Sequence, residues 1–186
     1  MNDVFMLDPA IGAVLVGCFV VLFASAAIHK LRDLQQFAHV FAGYGIASLL
    51  HRRQLSWLIP LLEVLLAAGL LLPTTRDAAA ALGAALLLGY AFAIRRNLRA
   101  GRKLVACGCG GPGQGRPIAG WMVTRNLLLA AALGAAALPW QARPLQWIDT
   151  TTIAFGVTAM ALLYASAERL LGDLGQARAA GSGGLA

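Results

Sequence analysis

Charge is scarce in this sequence. Only 12% of its 186 residues are Asp, Glu, Lys or Arg, against about 25% in an average soluble domain. So few charges cannot cover the surface of a soluble particle of 19.4 kDa, which excludes a soluble enzyme and a disordered chain. Cysteine is also sparse, at three residues, which excludes a disulfide-rich secreted domain. Strictly alternating stretches of about ten residues, the mark of a membrane β-barrel, are missing, and there is no internal repeat. The first eight residues contain no Lys or Arg and include Asp3 and Asp8. A secretory signal opens on positive charge, so the first apolar run reads as a retained helix.

Apolar residues are abundant, at 59%, and the mean hydropathy is +0.72. They collect into five runs, 9–28, 55–72, 78–94, 118–138 and 148–167. A helix needs about 20 apolar residues to cross the hydrocarbon, and all five runs lie near that length. The pattern predicts an all-α, polytopic membrane helix bundle of about five transmembrane helices, forming one domain over 9–167. Between the first two runs, Leu31, Leu34, Phe37, Ala38 and Phe41 recur at helical spacing with polar residues between them. This predicts a short amphipathic helix, lying in the membrane interface or packed against the ends of the bundle. The Gly- and Ala-rich segment 175–186 predicts a disordered tail.

The excess of 15 Lys and Arg over 8 Asp and Glu describes topology and gives no reason to expect nucleic acid. Segments outside the five runs alternate between many basic residues and few. Twelve fall on the side of the first connection, the third connection and the C-terminus. Two, Arg76 and Arg143, fall on the other side, and Arg125 lies inside the fourth run. The positive-inside rule then predicts a multi-pass membrane protein with its N-terminus out and its C-terminus in.

Three features carry chemistry. Cys107 and Cys109 sit in Ala106-Cys107-Gly108-Cys109-Gly110-Gly111-Pro112-Gly113, a turn-rich loop. A disulfide between them would close a very small ring, and such strained bonds suit disulfide transfer. Arg102, Lys103 and Arg116 flank the pair, and nearby positive charge favours the attacking thiolate. A redox pair, half of a metal site and inert thiols on a structural turn all fit. For zinc, two of about four ligands would be missing, and the only histidines are His29, His39 and His51, so no metal is expected. Cys18, in the first run, reads as a packing residue.

Glu63 lies inside the second run, and Arg125 and Asn126 inside the fourth. Ionisable residues at membrane depth take partners and often have functions. At 1.5 Å per residue, Glu63 lies about 12 Å into its span and Arg125 about 10 Å into its own, from the same side. The two side chains can meet, as a register-fixing ion pair or as a polar pocket below the Cys loop. His29 closes the first run on that same side. It reads as an interfacial anchor or as a proton carrier near the thiols.

Several of these residues together resemble the methylamine utilisation protein MauE family, within the wider DoxX-like group of small membrane proteins. The resembling residues are Ala27-Ile28-His29-Lys30-Leu31 with Asp33 and Phe37, Tyr44-Gly45, Pro60-Leu61-Leu62-Glu63, Cys107-Gly108-Cys109-Gly110-Gly111, and Arg125-Asn126-Leu127-Leu128-Leu129. The likeness spans about residues 10 to 165. It departs at Gly110, where the family often has Phe. It implies thiol–disulfide redox work in maturing a periplasmic amine dehydrogenase, with a thioredoxin-like periplasmic protein and the dehydrogenase small subunit as partners. Apart from the resemblance, the polar residues at that depth suggest a membrane quinone as electron acceptor, with Glu63, Arg125 and Asn126 lining its pocket.

One tension follows. The charge pattern puts the Cys loop in the cytoplasm, whereas the implied substrates are periplasmic. The loop could fold into the bundle, Cys18 could relay electrons across the membrane, or the orientation could be reversed. The competing function is a non-catalytic assembly protein that holds a redox enzyme or its thioredoxin-like partner. It predicts that Phe37→Asp or Phe41→Asp abolishes partner capture while Cys substitutions are tolerated. A transporter fits less well, because no pair of broken helices recurs in two halves.

Overall fold

In the computed structural model the described residues are 6–44, 49–101 and 118–182, with side chains described for 6–44, 56–101 and 118–174. Six helices are present among them: α1 (Pro9–Arg32), α2 (Leu34–Gly43), α3 (Leu49–Leu71), α4 (Arg76–Arg99), α5 (Gly120–Ala136) and α6 (Trp147–Ser182). The described residues contain no strand, only an isolated bridge between Leu7 and Trp140. Each of the five apolar runs falls on a helix. Three helices are long and apolar enough to cross a membrane: Pro9–Arg32, Arg76–Arg99 and Trp147–Leu174. The apolar stretch Ser56–Leu71 of α3 is shorter, and α5 has 17 residues.

Local signals set the helix ends. The Asp8 side chain accepts from the Ala10 amide at 2.8 Å and Pro9 occupies the first turn, where its missing N–H costs nothing. His29, Lys30 and Arg32 fall in the last turn of α1, which suits the negative end of the helix dipole. Asp33 leaves helical geometry and its side chain accepts from Gln36 N at 2.8 Å. One residue thus ends α1 and caps α2. The amphipathic helix foreseen between the first two runs is therefore present, and it packs on α3 and α1.

Helices α1, α3, α4 and α5 pack as a closed ring of four, each against two neighbours, and α6 lies along the outer side of α1. The ring is filled by Val16, Phe19 and Phe23 of α1 with Leu66 and Leu70 of α3, Leu87 of α4 and Leu133 of α5. Small residues allow the close approaches. A Cβ on Gly17 would stand 2.6 Å from Val157 Cγ2, and one on Gly83 would stand 2.8 Å from Leu133 Cδ2, the small-residue packing of membrane helices. Most of α6 beyond its α1 contact is open, with Phe155 77% exposed.

Within the Gly- and Ala-rich segment 175–186, α6 runs on to Ser182. Ala177, Arg178, Ala179 and Ala180 are strong helix formers, and that preference outweighs the flanking glycines. Residues 183–186 lie outside the described set.

The bundle has two chemically different ends. At one, Arg143 ties the start of α1 to the start of α6. It donates to Asp8 at 3.0 and 3.1 Å and to Asp149 at 2.8 and 3.1 Å. Leu7 N donates to Pro139 O at 2.8 Å and Gln141 N to Leu7 O at 2.9 Å, and the Arg76 guanidinium stacks 3.7 Å from the centre of the Trp140 ring. Arg143, foremost through its hydrogen bonds, holds the Asp8 carboxyl below its usual range, and the Ala10 amide adds to this. At the other end lie α2, the C-terminal ends of α1, α4 and α6, and the N-terminal ends of α3 and α5.

Candidate functional site: a buried charge cluster

The buried stripe of α1 runs through Val16, Phe19, Phe23, Ala27 and Lys30. These spacings of three and four residues make one helix face, so the stripe that fills the core ends in a cation. The Lys30 side chain is 4% exposed and is paired with Glu63 Oε1, whose side chain is 1% exposed. Tyr90 of α4 also donates to Glu63 Oε1, at 2.8 Å, and lies 3.3 Å from Lys30 Nζ. Rings flank the ammonium, with the centres of Tyr90 and Phe37 at 5.1 and 5.5 Å. Glu63 Oε2 is buried and has no hydrogen-bond partner among the described residues.

A second pair sits nearby. Arg125 of α5 is paired with Glu168 of α6, and Tyr164 donates to the same carboxylate at 3.0 Å. Arg125 also lies 5.6 Å from the centre of the Trp121 ring. Asn126 is buried and donates to Met122 O at 2.8 Å. Lys30 and Glu63 of the first pair and Arg125 of the second line one partly open cavity of about 50 Å³, whose other polar lining is Tyr90, Asn126 and Tyr164.

Glu63, Arg125 and Asn126 line the same cavity; Glu63 is paired with Lys30 of α1 and Arg125 with Glu168 of α6. His29 does not line the cavity. One residue turns a helix by about 100°, so the neighbour that faces inward is Lys30, and His29 Nδ1 is buried without a hydrogen-bond partner among the described residues. Phe37 is buried, with its ring beside the Lys30 ammonium. Cys107 and Cys109 lie outside the described residues. In sequence they fall between α4 and α5, and the C-terminal end of α4 and the N-terminal end of α5 lie at the end of the bundle that holds the charge cluster. Among the described residues no group of three or more His, Cys, Asp or Glu is placed to hold a metal ion.

Lys30 stands in the sequence only as part of the Ala27–Leu31 motif, without a site role, and Tyr90, Tyr164 and Glu168 have no part in the expected site. Lys30 had a legible signal, its place on the Phe19–Phe23–Ala27 stripe. The two tyrosines and Glu168 had none, since each reads as an ordinary residue near a helix end.

The family model described as "Methylamine utilisation protein MauE" matches residues 8–141. The chain is 34% identical over 178 residues to the methylamine utilization protein MauE of Paracoccus denitrificans, covering 95% of each chain. It is 38% identical over 166 residues to that of Paracoccus versutus, covering 89% of each, and 33% identical over 168 residues to that of Methylophilus methylotrophus, covering 89% of this chain and 88% of the relative. No solved structure shows a significant match.

Proposed function

Because the chain belongs to the methylamine utilisation protein MauE family, we propose that it is a membrane thiol–disulfide redox protein that supports maturation of a periplasmic amine dehydrogenase. The observation that carries this reading is the buried charge cluster at the end of the bundle where α4 ends and α5 begins, the two helices between which Cys107 and Cys109 fall in sequence. Two ion pairs kept at membrane depth are costly and accompany function more often than a bare scaffold would need.

Five spans are part of the proposal. α1, α4 and α6 have the length to cross, and α3 and α5 complete the same ring. The membrane is the bacterial inner membrane. The twelve-to-two distribution of basic residues favours the N-terminus out and the C-terminus in, which leaves Cys107 and Cys109 on the cytoplasmic side, so exchange with a periplasmic partner requires an electron relay through Cys18 or the reverse orientation.

In this reading Cys107 and Cys109 alternate between disulfide and dithiol. A thiolate of a thioredoxin-like partner attacks the Cys107–Cys109 disulfide. Exchange then leaves the partner oxidised and the pair reduced, and the partner passes its disulfide to the dehydrogenase small subunit. Reoxidising the pair releases two electrons and two protons. A lipid-soluble quinone supplies an acceptor of that stoichiometry, and Glu63, Arg125 and Asn126 would hold it. The Lys30 ammonium and the Tyr90 hydroxyl fix the Glu63 carboxylate, while the Glu168 carboxylate fixes Arg125.

The test is complementation. Chains carrying Cys107→Ser or Cys109→Ser should accumulate in the membrane at the normal level yet fail to yield active dehydrogenase. Full maturation with both substitutions would end the redox reading and favour a non-catalytic assembly role.

A further inference from the structure

The Glu63 carboxylate uses only one of its oxygens. Oε1 receives both Lys30 and Tyr90, whereas Oε2 is buried with no hydrogen-bond partner among the described residues, on a side chain that lines the cavity. Buried polar atoms almost always find a protein, water or ligand partner, and an ionised carboxylate can only accept. The missing partner is therefore a donor. The other polar groups around the cavity come from every neighbouring helix. Lys30 of α1 and Tyr90 of α4 reach Oε1, one terminal guanidinium nitrogen of Arg125 of α5 and the hydroxyl of Tyr164 of α6 reach Glu168, and Asn126 donates to its own helix backbone. The remaining wall is apolar and includes Phe23, Leu87 and Leu129. A ligand suited to this site has an apolar body and a hydroxyl tip.

Volume limits how that ligand enters. A closed cavity of about 150 Å³ holds a benzene ring. At about 50 Å³ and partly open, this one takes the hydroxyl end and leaves the ring at its mouth.

We propose that the cavity receives the hydroxyl of a lipid-soluble hydroquinone, donated to Glu63 Oε2, and that the site binds this reduced carrier in preference to the oxidised quinone. The quinone presents only carbonyl acceptors and cannot fill the vacant bond. The choice of carrier rests on the thiol-redox reading above. The preference for a donor rests on the geometry of Glu63 alone.

The test is calorimetric titration under anaerobic conditions of the detergent-purified chain carrying Cys107→Ser and Cys109→Ser. The probes are tetramethylhydroquinone, tetramethylquinone and the dimethyl ether of the former, which keeps the ring and lacks the donor. The hydroquinone should bind at least about tenfold more tightly than the other two, the scale of a hydrogen bond to a charged group. Equal affinity for all three, or no binding of any, overturns the proposal, and this comparison needs no change at Glu63. Where Glu63→Gln folds, its amide offers a donor in place of the acceptor, and the preference should move toward the quinone. An unaltered preference in that variant also overturns it. The cysteines are absent from the protein titrated, so failure here leaves the redox reading standing, and failure of complementation leaves this result standing.

Discussion

Lys30 of α1 and Glu63 of α3 form an ion pair in the interior of the bundle, where neither side chain is more than 4% exposed. Removing one member leaves an uncompensated buried charge, at a cost of about 3–5 kcal/mol, whereas replacing both by apolar residues of similar volume can be nearly neutral. Lys30→Met and Glu63→Leu should each lower stability on that scale, and the double variant should recover most of the loss. Denaturant unfolding in detergent measures the cycle. Simple additivity of the two single losses would contradict the pairing.

Arg125 and Glu168 join the closed ring of four helices to α6, which otherwise packs along α1. Glu168→Gln should weaken the docking of α6 by about 1–3 kcal/mol, the usual effect of losing a charged hydrogen-bond partner. The charge reversal Arg125→Glu with Glu168→Arg should restore part of it. Hydrogen exchange over residues 160–174 reports the docking, and unchanged protection in Glu168→Gln would show that the pair does not hold α6.

The α1–α6 contact itself depends on Gly17, where an added Cβ would stand 2.6 Å from Val157 Cγ2. Gly17→Ala should destabilise by about 1–3 kcal/mol through overpacking, and Val157→Ala in the same chain should relieve much of that. The coupling is read from unfolding midpoints of the two single variants and the double variant.

At the opposite end the Asp8 carboxyl is held below its usual range, mainly by the Arg143 hydrogen bonds. A carboxylate with a lowered native pKa stabilises the fold above its unfolded pKa, near 4, and that contribution is lost as pH falls through the native value. Protection of the Leu7 and Gln141 amides, which tie this end together, should therefore decline below about pH 4. In Asp8→Asn the decline should be smaller, because Asp8 no longer titrates.

Much of the architecture is legible in the sequence because membrane helices need long apolar runs, and every run found a helix. Asp33 is equally legible as a break, since it caps α2 with its own side chain. The partners of the intramembrane charges are less legible. Depth along a helix places Glu63 and Arg125 in one layer, but pairing depends on rotation about each helix axis. Lys30 shows how a three-and-four stripe could have supplied that rotation, while nothing near Tyr90 or Glu168 marks them as partners. The extension of α6 through Ala179 and Ala180 was masked by the glycines around them, which weigh on composition more than on a helix already under way.

The most direct measurement is the redox state and sidedness of Cys107 and Cys109 in living cells, read by mass-shift labelling with a membrane-impermeant thiol reagent before and after lysis. The pair should pass between disulfide and dithiol as the cells are exposed to oxidant and then to reductant, and maturation should fail when either cysteine is replaced by serine. Two cysteines that stay fully reduced under oxidant, in cells whose dehydrogenase still matures with both replaced, would contradict the redox reading.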